Sequence, residues 1–257
     1  MNQPRSPTAQ AQTAEARFYA LVPCAGIGER AGGGRPKQYA DVAGAPMVAH
    51  TLSALRQVPR LHATLVVLAA NDAQFEGCVP DFAGGKAWVA RCGGASRASS
   101  VANGLEELRR RGADAADWVL VHDAARCLIR PEWVLRLIEA CADDAVGGLL
   151  AMPVADTLKS AHEGRVAGTL NRAGKWAAQT PQMFRLGLLQ QALRQALQQA
   201  LVQGSDGVTD EAAAVEALGH APLLVPGEAE NFKLTWPGDL QLAARLLRTR
   251  GTELVAQ

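Results

Sequence analysis

The stretch Phe18-Tyr19-Ala20-Leu21-Val22-Pro23 carries no charge and runs straight into Cys24-Ala25-Gly26-Ile27-Gly28-Glu29-Arg30-Ala31-Gly32-Gly33-Gly34-Arg35-Pro36-Lys37-Gln38-Tyr39. An apolar run of strand length that empties into a glycine-rich segment reads as a buried strand feeding a ligand loop. Two more such runs, 65–70 and 118–121, alternate with helical patterns over 48–57, 98–111 and 132–142. Strand, helix, strand alternation implies crossover connections and an α/β fold with a mostly parallel sheet.

The second half is less regular. Residues 146–152 read as another buried strand, and 153–178 mix Gly, Asn, Arg and His without a period, as an excursion from the sheet in the form of a hairpin arm. Leu186, Leu189, Leu193, Leu197 and Leu201 share one face of a helix whose Gln-rich face is solvated. Residues 223–225 and 232–235 read as two late strands, and Pro237 opens a closing helix through 239–248. No repeat or linker divides 18–250, which is expected to be one domain behind a disordered tail, 1–17.

Composition narrows the function. Across 257 residues, 26 Lys and Arg face 25 Asp and Glu, a balance that excludes a bulk electrostatic partner such as nucleic acid or an anionic membrane surface. The apolar stretch 145–155 is too short and too rich in Gly and Pro to cross a bilayer. Cys24, Cys78, Cys92, Cys127 and Cys141 are odd in number and form no CxxC pair, which points to reducing cytosol.

The loop is not a dinucleotide fingerprint. Gly26, Gly28 and Ala31 fit that spacing, but Gly32, Gly33, Gly34 and Pro36 interrupt the helix it must open, and residues 47–51 supply no acid for a ribose. An NAD(P)-dependent oxidoreductase is therefore a remote alternative. A phosphate-loop lysine fails as well, because Lys37 lies between Pro36 and Gln38. What remains is a backbone-rich loop with Arg30, Arg35 and Lys37, suited to neutralising a triphosphate; a solvated turn with three exposed cations is the other reading.

Pro23 through Arg30, together with Pro36-Lys37-Gln38-Tyr39, resembles the signature loop of sugar and polyol phosphate nucleotidyltransferases, and the chain is similar to the methylerythritol/ribitol phosphate cytidylyltransferase family. The likeness continues at Gly93-Gly94 with Arg97 and Ser100-Val101, at Val121-His122-Asp123-Ala124-Ala125-Arg126, and at Pro153 with Asp156-Thr157. Further blocks are Gln179-Thr180-Pro181-Gln182, Thr209-Asp210-Glu211 and Asn231-Phe232-Lys233. All keep the family order from residue 18 to about 240.

This resemblance implies a Rossmann-like, three-layer α/β/α nucleotidyltransferase fold with a protruding dimerisation arm. It implies transfer of the cytidylyl group of CTP to methylerythritol 4-phosphate with release of pyrophosphate and with Mg2+; ribitol 5-phosphate is the alternative acceptor. Arg30, Lys37, Arg172 and Lys233 become catalytic candidates, the first two for the crowded charge at phosphorus and the last two for the attacking phosphate. Ala25, Gly26, Gly28, Gly94 and Ser100 are expected around the nucleoside, and Thr157, Thr209, Arg126 and Thr180 near substrate. Asp123 follows a strand end and suits magnesium, the alternative being a structural acid paired with Arg126. The neighbouring His122 reads as a buried, hydrogen-bonded side chain, while Asp210 and Glu211 read as acids at a helix start. The partners implied are CTP, a polyol phosphate and a second copy that exchanges arms, so Thr157 and Arg172 are expected to serve the neighbouring subunit. Departures from the family pattern are Cys24, Ala31, Ala95 and Cys127, and Cys24 is expected to confer thiol sensitivity.

Overall fold

Along β1 (Phe18–Pro23), Tyr19 and Leu21 enter one apolar cluster while Ala20 and Val22 enter another, so the strand is covered on both faces. The computed structural model describes residues 15–26, 36–203 and 208–255. The tail through residue 14 and the loop residues Gly28, Arg30, Ala31 and Arg35 lie outside the described residues.

In chain order, β1 is followed by the two-residue strands β2 (Asp41–Val42) and β3 (Ala45–Pro46), α1 (Met47–Arg56), β4 (Leu61–Val67), α2 (Phe75–Cys78), β5 (Ala87–Ala90) and α3 (Arg97–Arg110). Then come β6 (Trp118–Val121), α4 (Pro131–Cys141), β7 (Gly147–Pro153), β8 (Leu158–His162), β9 (Arg165–Leu170), β10 (Trp176–Arg185) and α5 (Leu186–Gln203). The chain closes with α6 (Glu211–Glu216), β11 (Leu223–Pro226) and α7 (Pro237–Val255). The main sheet has the order β11-β7-β10-β6-β1-β4-β5. Every neighbouring pair is parallel except those made by β10, which runs antiparallel to both β6 and β7.

Three layers result. Val48, Leu52 and Leu55 of α1 and Trp133, Val134, Leu137 and Ile138 of α4 cover one face. Val101, Leu105 and Leu108 of α3, with Leu186, Leu189 and Leu193 of α5 and Val215 of α6, cover the other. A smaller cluster sets α7 through Ala243 against Val42, Met47, Leu128 and Leu234. That cluster fixes the chain before α7 next to the carboxyl end of β6. The hairpin β8–β9 forms its own two-stranded sheet between β7 and β10, where the sequence places the arm.

Several local expectations are corrected. Residues 232–235 form no strand and join no sheet; Leu234 hangs from the Ala125 carbonyl by one backbone bond and is buried. Leu201 is 85% exposed, because α5 runs on past the core that its first turns cover. Arg17, assigned to the tail, is held instead: its N–H donates to Asp117 Oδ1 at 2.8 Å and its Nη2 to Oδ2 at 2.9 Å. Asp117 is itself buried.

Helix α3 lies close against the sheet, and its first turn carries Arg97 and Ser100. Gly104 allows this seating: a Cβ there would lie 2.7 Å from Val67 Cγ2 and 2.8 Å from Leu21 Cδ1. Gly104→Val is expected to overpack this contact and cost about 1–3 kcal/mol, read as a lower urea midpoint at unchanged slope; an unchanged midpoint would refute the close seating.

Candidate active site

The carboxyl ends of β1 and β6 meet where the sheet order reverses, since β4 and β5 extend to one side of β1 and β6 lies on the other. Ligands of open α/β sheets collect at such points. A cleft of about 650 Å³ opens there. Cys24, Ala25 and Gly26 form one wall, Lys37 and Gln38 another, Gly94 to Arg97 with Ser100 a third, and Asp123, Lys233 and Thr235 complete it.

Each wall is positioned by a local device. Gln38 Nε2 donates to the Cys24 carbonyl at 3.0 Å, and the buried Tyr39 hydroxyl donates to Asp72 Oδ2 at 2.6 Å, which pins the turn that carries Lys37. Lys37 itself donates from Nζ to the Leu234 carbonyl. Helix α3 starts with a reciprocal cap: Ser96 Oγ accepts from the Ser99 N–H at 3.1 Å, and Ser99 Oγ accepts from the Ser96 N–H at 2.8 Å. Ser100 Oγ accepts from the Gly94 N–H at 3.0 Å and so holds the glycine strip at the helix start. Gly93 cannot carry a side chain, because a Cβ would fall 2.2 Å from that of Ala25. The positive end of α3 therefore faces the cleft.

The charges are ordered around Asp123, the one acid among the described residues lining the cleft. Arg97 Nε donates to its Oδ1 at 2.7 Å, and Lys233 Nζ lies 2.8 Å from its Oδ2. Burial alone would raise the pKa of this carboxyl; Arg97 and Lys233 outweigh it and hold the group well below the usual carboxylate range. The fork of Arg97 reaches on to the fully buried Glu211, Nη1 to Oε1 at 2.7 Å and Nη2 to Oε2 at 3.0 Å.

Behind the cleft a neutral network fixes the Asp123 backbone. The Asp123 N–H donates to Thr180 Oγ1 at 3.1 Å, which leaves the threonine proton to donate to His122 Nδ1 at 3.0 Å. His122 Nε2 lies 3.2 Å from the Arg126 carbonyl and must carry the ring proton. Burial pushes the His122 pKa down to about 4, consistent with a neutral ring.

The sequence candidates thus separate into groups. Ala25, Gly26, Lys37, Gly94, Ser100, Asp123 and Lys233 line one cleft. Thr180 is buried beneath Asp123, and Arg126 donates to the Asn231 carbonyl at 2.6 Å and the Ala178 carbonyl at 3.2 Å. The alternative pairing of Asp123 with Arg126 is corrected: the partners are Arg97 and Lys233. Thr157 and Thr209 are exposed, and Arg172 lines a separate depression of about 580 Å³ with Pro153, Lys175 and Trp176 at the base of the arm. Gly28 and Arg30 belong to the loop outside the described residues. Cys24 is buried and burial raises its thiol pKa, which opposes the expected thiol sensitivity. Asp210 caps α6, its Oδ1 accepting from the Ala213 N–H, as expected of an acid at that position.

Arg97 and Glu211 are the ionic residues that site reasoning missed. A signal was present: a cation in the first turn of a helix opposes the dipole and calls for an acid nearby. No group of three His, Cys, Asp or Glu side chains suited to a metal occurs among the described residues.

Residues 18–249 match the family model described as 2-C-methyl-D-erythritol 4-phosphate cytidylyltransferase. Over 236 residues the chain is 56% identical to a bifunctional IspD/IspF enzyme of Albidiferax ferrireducens, with 92% of this chain and 54% of the relative covered. The chain therefore spans about half the length of that relative. It is 54% identical to the 2-C-methyl-D-erythritol 4-phosphate cytidylyltransferase of Laribacter hongkongensis, covering 90% of this chain and 96% of the relative. The crystal structure of a 4-diphosphocytidyl-2C-methyl-D-erythritol synthase superposes with a TM-score of 0.78 at 39% identity, covering 90% of this chain and 99% of that one.

The His122 network generates a pH dependence. The ring takes up a proton near pH 6.5 in the unfolded chain but only near pH 4 in the folded one. Stability is therefore whole above pH 6.5 and declines as the pH falls towards 4, by an amount of about 3 kcal/mol. Urea unfolding of wild type and His122→Gln across this window should show a shallower decline in the variant; parallel declines would assign the loss elsewhere.

Proposed function

The chain belongs to the 2-C-methyl-D-erythritol 4-phosphate cytidylyltransferase family, and from that premise we propose that its cleft transfers the cytidylyl group of CTP to 2-C-methyl-D-erythritol 4-phosphate. The products are 4-diphosphocytidyl-2-C-methyl-D-erythritol and pyrophosphate, a step of non-mevalonate isoprenoid precursor synthesis. The observation that carries this reading is the charge inventory: Lys37, Arg97, Lys233 and the start of α3 converge on a cleft whose one described acid is already held by two cations. A phosphate oxygen of the acceptor attacks the α-phosphorus of CTP, the α–β P–O bond breaks, and its electron pair leaves with pyrophosphate. An acceptor in its dianionic form has no proton to lose at the attacking oxygen, so the site needs fixed positive charge more than a base.

Within this reading Lys37, with Arg30 from the neighbouring loop, stabilises the charge gathered at phosphorus. The backbone at Ala25, Gly26 and Gly94, with Ser100 behind it, admits the nucleoside, and Lys233 meets the acceptor phosphate. The residues fit Mg2+: Asp123 is an ionised carboxylate at the cleft without companion acids among the described residues, so it would share the ion with triphosphate oxygens and water. Bound there, the ion would neutralise triphosphate charge. No described helix is long and apolar enough to cross a membrane, and the five cysteines are free, which suits a cytosolic enzyme.

The arm supports a homodimer. Val166 is 67% exposed and Leu170 49%, an apolar surface on a hairpin that does not join the main sheet. Arg172 and Thr157 lie outside the cleft of their own chain, which suits residues offered to a neighbour.

Purified protein with CTP and Mg2+ should release pyrophosphate on addition of methylerythritol 4-phosphate and not of ribitol 5-phosphate. Release with ribitol 5-phosphate alone would move the acceptor, and silence with both would end the reading. For the arm, Lys37→Ala and Arg172→Ala should each be nearly inactive, and an equimolar mixture of the two, left to re-form dimers, should recover up to about one quarter of wild-type turnover, because about half of the dimers are then hybrids with one of two sites intact. No recovery in verified hybrids would put both residues in one subunit's site.

A further inference from the structure

Trp236 is 70% exposed, although its neighbour Thr235 lines the cleft together with Lys233. Its backbone is fixed: Asp239 Oδ2 accepts from the N–H of Thr235 at 2.6 Å and from that of Trp236 at 2.7 Å, so the indole is presented from the start of α7. The depression at the base of the arm is fixed in a similar way. Arg172 and Lys175 end the turn that joins β9 to β10, which is closed by the Lys175 N–H on the Arg172 carbonyl at 3.0 Å. The Val154 N–H donates to the Lys175 carbonyl at 3.0 Å and ties the turn to the end of β7. Trp176, 37% exposed, completes the wall, and among the described residues no acid lines it.

The proposed reaction relates the exposed indole to this depression. In that reaction the acceptor phosphate is held by Lys233 of one protomer and Arg172 of its partner, so the turn 172–175 of one copy must approach residue 233 of the other. Trp236 follows Lys233 by three residues, at most about 10 Å of chain. Lys175 and Trp176 share the depression with Arg172. Bringing Arg172 to the phosphate therefore brings the depression within reach of the indole, and at about 580 Å³ it has room for the ring. The chemistry matches as well. An ammonium without an acid beside it is attracted to the face of an aromatic ring, to indole most of all, and two indoles pack favourably edge-to-face or offset.

We propose that Trp236 seats in the depression at the base of the partner's arm, against Lys175 and Trp176, and that two-fold symmetry repeats the contact once on each side of the dimer. The proposal rests on the cytidylyl-transfer reading for the approach of Arg172 to Lys233, and it adds the contact that anchors the arm at the cleft edge. Aromatic anchors buried in a pocket of the partner supply a large share of the binding energy of an interface. With the indole against Lys175 and Trp176, the guanidinium of Arg172 is left to the phosphate.

The test replaces Trp236 with p-benzoylphenylalanine, which keeps an aromatic ring at the position and cross-links under ultraviolet light, in ligand-free protein shown by sedimentation to be dimeric. Irradiation should give covalent dimers in which the linked peptide contains residues 172–176 of the other copy. Verified dimers that link elsewhere, or not at all, would overturn the proposal while leaving the dimer standing. A wild type that sediments as a monomer would end the arm-exchange reading and this contact with it. In a second measurement, Trp236→Ala should raise the dimer dissociation constant by about thirtyfold and Lys175→Ala by about threefold. Trp236→Ala/Lys175→Ala should be no weaker than Trp236→Ala alone, because either change already parts the cation from the ring. Additive losses would overturn the proposal, as would a Trp236→Ala dimer as tight as wild type. Silence with CTP and both acceptors would instead remove the functional reading and leave the cross-linked peptide to decide the contact.

Discussion

Asp123 sits where four segments must agree. It follows β6, its backbone N–H is fixed by Thr180 of β10, one oxygen is fixed by Arg97 of α3, and the other pairs with Lys233 on the segment before α7. A carboxylate on a side chain only 10% exposed cannot remain ionised without such partners, because burial penalises its charged form. The cations are equally dependent on it. Lys37 and Lys233 face one cleft, and without an anion between the positive groups their repulsion would oppose closure of the floor. Asp123 therefore lets a cation-rich site exist before any phosphate arrives.

The antiparallel strand β10 is part of the same solution. In a wholly parallel sheet the chain would need a crossover helix before each strand. Here β7 leads into the hairpin β8–β9 and returns directly as β10, between β7 and β6. The return places Gln179, Thr180 and Gln182 beneath the cleft, where they bind respectively the Glu228 carbonyl, the Asp123 N–H, and Asp210 with the Ala212 N–H. One polar strand thus fastens β6, α6 and the segment before α7 from below. The arm is the external end of the element whose internal end sets the floor.

How legible all this was depended on whether a residue declares its role locally. β1, β6 and the helices α1, α3 and α4 stood out because their side chains see the core with a short repeat in sequence. β10 did not, since Gln179, Thr180, Pro181 and Gln182 read as a polar motif and a proline argues against an internal strand; the register shift between Ala178 and Gln182 is where the strand accommodates it. β5 has four half-buried residues and no apolar run beyond them. In the site, the glycines and the lysines of the cleft were visible from the motifs that carry them, whereas the Arg97–Glu211 pair joins residues 114 positions apart. Each stands within a motif, but their partnership exists only once α3 and α6 lie on the same face of the sheet. Arg126 was misleading for the converse reason: adjacency in sequence suggested a partner for Asp123, while the strand end turns its guanidinium towards the carbonyls of Asn231 and Ala178.

The charges of the site differ in how easily they can be exchanged, and burial sets the difference. The Arg97–Glu211 pair has a carboxylate that is 1% exposed; breaking it strands a charge away from water, at about 3–5 kcal/mol for pairs of this kind. Lys233 is half-exposed, so water can replace Asp123 at its ammonium and the pair contributes about 1 kcal/mol at most. Under the proposed function an arriving phosphate would therefore meet one contact that yields and one that stays. Without substrate, the exposed contact neutralises Lys233; in the proposed reaction Lys233 would turn to the phosphate while Asp123 stays oriented by Arg97 and Thr180. The preorganisation that charge-stabilising catalysis requires is in this way confined to the buried half of the network, and the freedom that substrate entry requires is confined to the exposed half.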